Sequence, residues 1–169
     1  MTDLIEPEAI ARARSLFLTD DNHYGCAETV LIVLQESYRL PDATDSSPAM
    51  ALNGGVAYSG SICGALSGAA MAVGRLAAQR IADHQEAKRT ARRIVARLME
   101  DFATEFGAWD CRTLTGYNLS LPAEHEAFIQ SGVWRDTCMA QIEFVVRRLA
   151  RLQDEQVWAQ TVSNLDAAG

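Results

Sequence analysis

A chain of 169 residues, 49% hydrophobic and 22% charged, carries enough apolar material for one buried core and too much for intrinsic disorder. Its net charge of −7 and isoelectric point near 4.9 exclude the basic proteins that bind nucleic-acid phosphates or anionic membranes by charge. A mean hydropathy of −0.05 and the lack of a long apolar run exclude a helical membrane span, so neither nucleic acid nor membrane is expected as a partner.

The opening Met1-Thr2-Asp3-Leu4-Ile5-Glu6-Pro7 has no basic stretch followed by an apolar one, so no signal peptide is expected and the chain is placed in the cytoplasm. Residues 7–18 read as a first helix, with Pro7 in its opening turn and Ile10, Ala13, Leu16 and Phe17 on one face. Asp20-Asp21-Asn22 breaks it. A second helix runs from Gly25 or Cys26 to about Tyr38, with Val30, Leu31, Val33 and Leu34 as its core face, and Leu40-Pro41-Asp42 ends it. Residues 42–48 form a polar loop, the part of the chain most expected to be mobile.

A glycine-rich part follows: Asn53-Gly54-Gly55, Gly60, then residues 63–74. Taken as a helix, that last stretch aligns Gly64, Gly68 and Ala72 on one stripe. Glycine weakens a helix, so small residues in line predict that another backbone or a bulky group comes close. A phosphate-binding loop is not expected, because Gly60-Ser61-Ile62-Cys63-Gly64 follows no clear strand and lacks both the P-loop lysine and the Rossmann spacing.

Residues 77–106 carry a long amphipathic pattern with a break near Ala82-Asp83 and a stop at Gly107. The arginines at 89–97 interleave with apolar residues at helical spacing and predict a solvated face. Asp110 is placed to cap a short helix ended by Gly116. Ser120-Leu121-Pro122 opens another segment, through Gln130. A last helix is expected from about Asp136 to Trp158, with Ile142, Val145, Val146, Leu149 and Leu152 buried, and then a frayed tail over residues 159–169. The expectation is an all-α, single-domain bundle of about five to seven helices spanning residues 1–169, without internal repeats.

The chemistry is expected at Cys26, Cys63, Cys111 and Cys138. Each sits in a small-residue or polar setting of the kind that opens a helix, where unpaired N–H groups favour a thiolate. No pair has the Cys-x-x-Cys spacing of zinc knuckles or thioredoxin-like motifs, so a shared site must be assembled by the fold. In a reducing compartment these thiols are expected to bind metal, cycle through disulfides or pack in the core.

Gly25-Cys26-Ala27-Glu28, the stretch from Gly60 through Cys63-Gly64-Ala65-Leu66-Ser67-Gly68 to Ala69, residues 106–116 around Cys111, and Gly116-Tyr117-Asn118-Leu119-Ser120 leading to Cys138 together resemble the family of redox-active proteins named for its cysteine pattern, C_GCAxxG_C_C. The resemblance implies an all-helical fold, a homodimer and a redox role. A similar domain accompanies split-Soret cytochromes, where an iron–sulfur centre is found beside haem. This chain lacks Cys-x-x-Cys-His, the covalent haem signature, so the cytochrome part is not carried over.

The leading expectation is an iron–sulfur cluster bound by Cys26, Cys63, Cys111 and Cys138 for one-electron transfer to a redox partner protein whose identity the sequence does not give. Alternatives are cofactor-free thiol–disulfide exchange, a structural zinc site on the same four thiols, or a helical interaction module. His23, three residues before Cys26, is weighed as a spare ligand against an ordinary loop histidine, the commoner case. His84 and His125 read as surface residues. Glu28 reads as a helix-dipole partner and a candidate proton partner for Cys26, and Trp109 and Trp134 as candidate shields for sulfur. No Ser-His-Asp constellation supports hydrolysis.

Overall fold

The structure, a computed structural model, describes residues 5–168, and among them the fold is all-α, with a single isolated bridge in place of any sheet. The helices are α1 (Ile5–Phe17), α2 (Cys26–Ser37), α3 (Gly64–Arg80), α4 (His84–Phe106), the short α5 (Cys111–Thr115), α6 (Pro122–Ser131), α7 (Met139–Leu149) and α8 (Glu155–Ala168). Short 3-10 turns at Ser47–Leu52 and Ala150–Gln153 and a π turn at Trp134–Cys138 connect them.

Sequence dictates which helix is central. Val30, Leu31, Ile32, Val33 and Leu34 are apolar on every face, and each is at most 1% exposed, so α2 is surrounded by α1, α3 and α7. Burial here goes beyond the one-sided stripe expected from the sequence. By contrast α4 is amphipathic, burying Ala87, Ile94, Leu98 and Phe102 while Arg89, Arg92 and Arg97 face solvent. The arginine run is therefore a solvated face, apart from Arg93, which bonds to Asp166 and the Leu165 carbonyl of α8. The break before α4 lies where expected, with the Asp83 carboxylate accepting from the Glu86 N–H at 2.8 Å.

The α2–α3 contact explains the small-residue stripe. A Cβ added to Gly68 would lie 2.3 Å from the Ala27 carbonyl oxygen, and Ala72 is fully buried. Two backbones meet here, and nothing larger than glycine fits at Gly68. Gly68→Leu, and even Gly68→Ala, is expected to lower unfolding free energy by about 1–3 kcal/mol as overpacking outweighs the gain in helix propensity. A denaturant titration showing an unchanged midpoint and slope would contradict this packing.

One local expectation is corrected. The last helix is not continuous from 136 to 158. Instead the π turn leads into α7, a 3-10 turn follows, and Asp154 turns extended to accept from the N–H groups of Gln156 and Val157, which starts α8. An aspartate cap inside an apparently continuous apolar pattern was the missed signal. The tail expected to fray is helical through Ala168, with Gly169 outside the described residues; Arg80 lies over the Trp158 ring at 5.2 Å. In the 42–48 loop the Gln35 side chain donates to the carbonyls of Ala43 and Asp45, Ser46 is buried, and Pro48 lies in the first turn of the 3-10 segment that starts at Ser47.

Residues 54–58 form an uncommon connection. Gly54, Gly55, Val56, Ala57 and Tyr58 all have positive φ, at 67°, 72°, 65°, 50° and 61°. Left-handed backbone costs a non-glycine residue roughly 1–2 kcal/mol, so three such residues persist only because surrounding bonds hold them. Those bonds include Ala57 N–H to the Ala51 carbonyl at 2.8 Å and Ser61 N–H to the Gly55 carbonyl at 2.9 Å. The turn carries Tyr58 to the cysteines.

Candidate functional site

Three of the four cysteines do start helices. Cys26 is the first residue of α2, Cys63 immediately precedes α3, and Cys111 opens α5 behind the Asp110 cap, whose carboxylate accepts from the Thr113 N–H at 2.8 Å. Cys138 departs from this expectation. It is the last residue of the π turn, within continuous helical backbone, so it does not itself open a helix.

A backbone clip joins two of these segments. Ile62 and Asp110 form the isolated antiparallel bridge, with Cys63 N–H donating to the Trp109 carbonyl at 2.8 Å and Cys111 N–H to the Ser61 carbonyl at 2.7 Å. The starts of α3 and α5 are thereby held side by side. On the other side of α3, a Cβ on Gly64 would lie 2.4 Å from the Cys26 sulfur, so glycine at 64 is what lets Cys26 approach.

Cys26, Cys111 and Cys138 line one cavity of about 170 Å³ together with Glu28, Asn53, Tyr58, His125 and Trp134. Cys63 is 4% exposed, its thiol donating to the Gln141 carbonyl oxygen at 3.6 Å. The four sulfurs are close enough to act on one another electrically: a negative charge on Cys26, Cys63 or Cys111 disfavours ionisation of Cys138, and Cys63 feels Cys26 and Cys111 in the same way. All four are free thiols. Among the described residues no three His, Cys, Asp or Glu side chains converge tightly enough to hold a single metal ion.

Burial reverses the expectation that these positions favour thiolates. Desolvation raises the Cys26 thiol above its ordinary range, although N–H groups of Gly54, Ala27 and Gly64 pull the other way. Cys111 is pushed up to about 12, chiefly by burial, then by Cys26 and Asp110. Cys63 and Cys138 are raised further, again mostly by burial. A helix start offsets part of the desolvation cost of a buried thiolate but does not cancel it. These thiols stay protonated at neutral pH until an electrophile or cation replaces the proton.

Glu28 has a fuller role than dipole partner. It is 7% exposed; one carboxylate oxygen accepts from Gly25 N–H at 3.0 Å and Asn53 Nδ2 at 2.9 Å, the other from the Ser46 hydroxyl at 3.1 Å. Asn53 in turn accepts from Ala27 N–H at 3.0 Å and faces the Cys26 sulfur at 4.0 Å. Glu28 thus fixes Asn53, and Asn53 fixes the entry to α2 beside Cys26.

His125, read from sequence as a surface residue, lines the cysteine cavity, its ring 4.6 Å from that of Tyr58. Trp134 is buried against Phe17 and walls the cavity as a shield would. Trp109 does not: the residue is 47% exposed, its ring N–H donates to the Met99 carbonyl, and only its backbone carbonyl serves the site. His23 is exposed against Tyr24 and His84 is exposed at the start of α4, and neither lines the cavity. Sequence reasoning missed Asn53, Tyr58 and Gln141. Gln141 alone had a local signal, as a polar residue three positions after Cys138, beside the apolar stripe of α7.

Comparison with curated proteins and with solved structures finds no significant match. A family model described as "Putative redox-active protein (C_GCAxxG_C_C)" matches residues 24–152, a span that holds all four cysteines and every helix from α2 to α7. The chain belongs to the C_GCAxxG_C_C family.

Proposed function

We propose that the chain is an electron-transfer protein whose Cys26, Cys63, Cys111 and Cys138 bind an iron–sulfur cluster. The observation that carries this reading is the gathering of sequence-distant thiols at one place: Cys26, Cys111 and Cys138 line one small cavity, Cys63 lies near enough to feel their charge, and backbone N–H groups are aimed at the Cys26 sulfur. Four thiolates are the usual ligand count for such a cluster. The donor chemistry fits, and so does the size. At about 170 Å³ the cavity is smaller than the roughly 300 Å³ minimum typical of organic ligand sites.

A cluster and a zinc ion would set different spacings on the same four thiols. Tetrahedral zinc at about 2.3 Å from each sulfur draws its thiolates to within roughly 4 Å of one another, and no three donors among the described residues converge for a single ion. A polynuclear centre holds its thiolates farther apart. When bound, such a centre takes up and releases single electrons.

The chain's own residues supply the rest. N–H groups of Gly54, Ala27 and Gly64 offset charge at the Cys26 sulfur, Trp134, Phe17 and Phe128 supply the apolar part of the cavity wall, and the Glu28–Asn53 pair holds the start of α2 in place. Raised thiol pKa values disfavour the alternative of an activated nucleophile for disulfide exchange, since exchange requires a thiolate.

Anaerobic reconstitution with iron and sulfide tests the proposal. The expected product is brown, with visible absorption that bleaches on reduction, and Cys111→Ser should lose most of that absorption because serine is a harder ligand. A chain that stays colourless while two thiols are lost on mild oxidation would favour the disulfide reading instead.

A further inference from the structure

Among the buried residues of α7, Gln141 is the one polar side chain, in the company of Met139, Ile142, Val145, Val146 and Leu149. It is 2% exposed. Its side-chain carbonyl oxygen accepts from the Cys63 thiol at 3.6 Å, and its Nε2 has no partner among the described residues. A buried amide donor without an acceptor is costly, and an apolar residue of similar shape would avoid that cost. Packing alone therefore does not explain glutamine here.

The two ends of a carboxamide exchange places by a half-turn about Cγ–Cδ. After that turn Nε2 lies where Oε1 was, within reach of the same sulfur. A thiol has a proton to donate and so meets the oxygen, whereas a sulfur whose proton has been replaced by a metal has only lone pairs to offer and meets the N–H. One side chain fits both states of Cys63, and the unpartnered donor in the thiol state is the cost of holding the second fit in reserve.

We infer that Gln141 is a positioning residue for the sulfur centre, accepting from the Cys63 thiol in the metal-free chain and turning to donate to the Cys63 sulfur once that sulfur is a ligand. The donor half rests on the proposed function; the acceptor half does not. No bond breaks in the side chain, and the thiol proton leaves to solvent as the ligand bond forms. A hydrogen bond donated to sulfur stabilises the more negative, reduced state of a cluster and raises its potential.

Two substitutions separate the halves, because Gln141→Met loses acceptor and donor at similar volume, while Gln141→Glu keeps an acceptor and, when its carboxyl is ionised, loses the donor. In the metal-free chain, infrared spectra assigned to Cys63 with a Cys63→Ser control should show a hydrogen-bonded S–H band in wild type and Gln141→Glu, shifted to the free-thiol position in Gln141→Met. In reconstituted protein at a fixed potential, the ratio of reduced to oxidised cluster should fall about tenfold in Gln141→Met and further in Gln141→Glu, where a negative charge is added. Circular dichroism of each variant reports whether the fold is kept, and the infrared band of any folded variant remains decisive.

An S–H band unmoved in Gln141→Met would overturn the acceptor half, and a reduced-to-oxidised ratio unmoved in both variants would overturn the donor half and leave a packing role. Wild-type protein that takes up no cluster would overturn the proposed function and the donor half with it, while the infrared result would still decide the acceptor half.

Discussion

Gly64→Ala is expected to abolish cluster uptake while leaving the helical fold largely in place. The added Cβ would lie 2.4 Å from the Cys26 sulfur and 3.1 Å from the Ala27 nitrogen, so the sulfur must rotate away or α2 must shift. Cys26 sits at the start of α2, and its neighbours Ala27 to Gln35 are all buried, which leaves the side chain as the part that moves. A ligand turned out of the cavity is lost to a shared centre. Overpacking by one methyl costs roughly 1–3 kcal/mol, against several kcal/mol for a lost ligand. The expected outcome is near-native circular dichroism and at least about a tenfold loss of iron incorporation on reconstitution. Wild-type incorporation in Gly64→Ala would show that Cys26 is not held where the geometry places it.

Loading is also expected to depend steeply on pH. Each thiol must lose its proton to become a ligand, and burial holds all four above their ordinary range, Cys111 up to about 12. Across neutral pH every ligand position starts protonated, so binding releases up to four protons. The affinity then rises by as much as about ten-thousandfold per pH unit, the limit for four released protons. Competition with a metal chelator at a series of pH values measures the slope, and a flat profile from pH 6 to 9 would contradict protonated ligands.

The metal-free fold should show the opposite trend. A thiol whose folded pKa lies above its unfolded value of 9.0 leaves the native state holding more protons than the unfolded state once pH exceeds that value. Stability is therefore intact below about pH 9 and falls as pH rises toward the folded pKa, by up to roughly 1.4 kcal/mol per pH unit per thiol. Denaturant midpoints of metal-free protein above and below pH 9 check the sign.

Helix order was legible because local chemistry wrote it. Asp110 caps where a cap was expected, the break read near Ala82-Asp83 is where α4 begins, Gly107 and Gly116 end helices in left-handed conformation, and the Gly64–Gly68 stripe predicted a close approach that the α2 backbone supplies. Asp154 was overlooked since the apolar period runs nearly unbroken past it. The turn at 54–58 was half legible. Asn53-Gly54-Gly55 announces a turn, but nothing in Val56-Ala57-Tyr58 favours left-handed backbone, which long-range bonds impose.

The site was legible as a set of cysteines and not as an environment. Burial is a tertiary property, so a sequence that places Cys26, Cys63 and Cys111 at helix starts suggests thiolates, while the folded surroundings enforce thiols. His125 and Tyr58 meet across the cavity from segments far apart in the chain, a pairing without local trace. Glu28 had such a trace, three residues after the Gly25 cap, yet its bonds to Asn53 and Ser46 needed the fold.

Native mass spectrometry of the anaerobically reconstituted chain tests the central claim most directly, since the mass of the folded protein counts what the four cysteines hold. The expected result is a mass increase equal to whole numbers of iron and sulfide atoms less the displaced thiol protons, absent when Cys26, Cys63, Cys111 and Cys138 are all replaced by serine. An increase matching one zinc ion, a loss of two hydrogens for a disulfide, or the bare mass of the four-thiol chain after reconstitution would each contradict it.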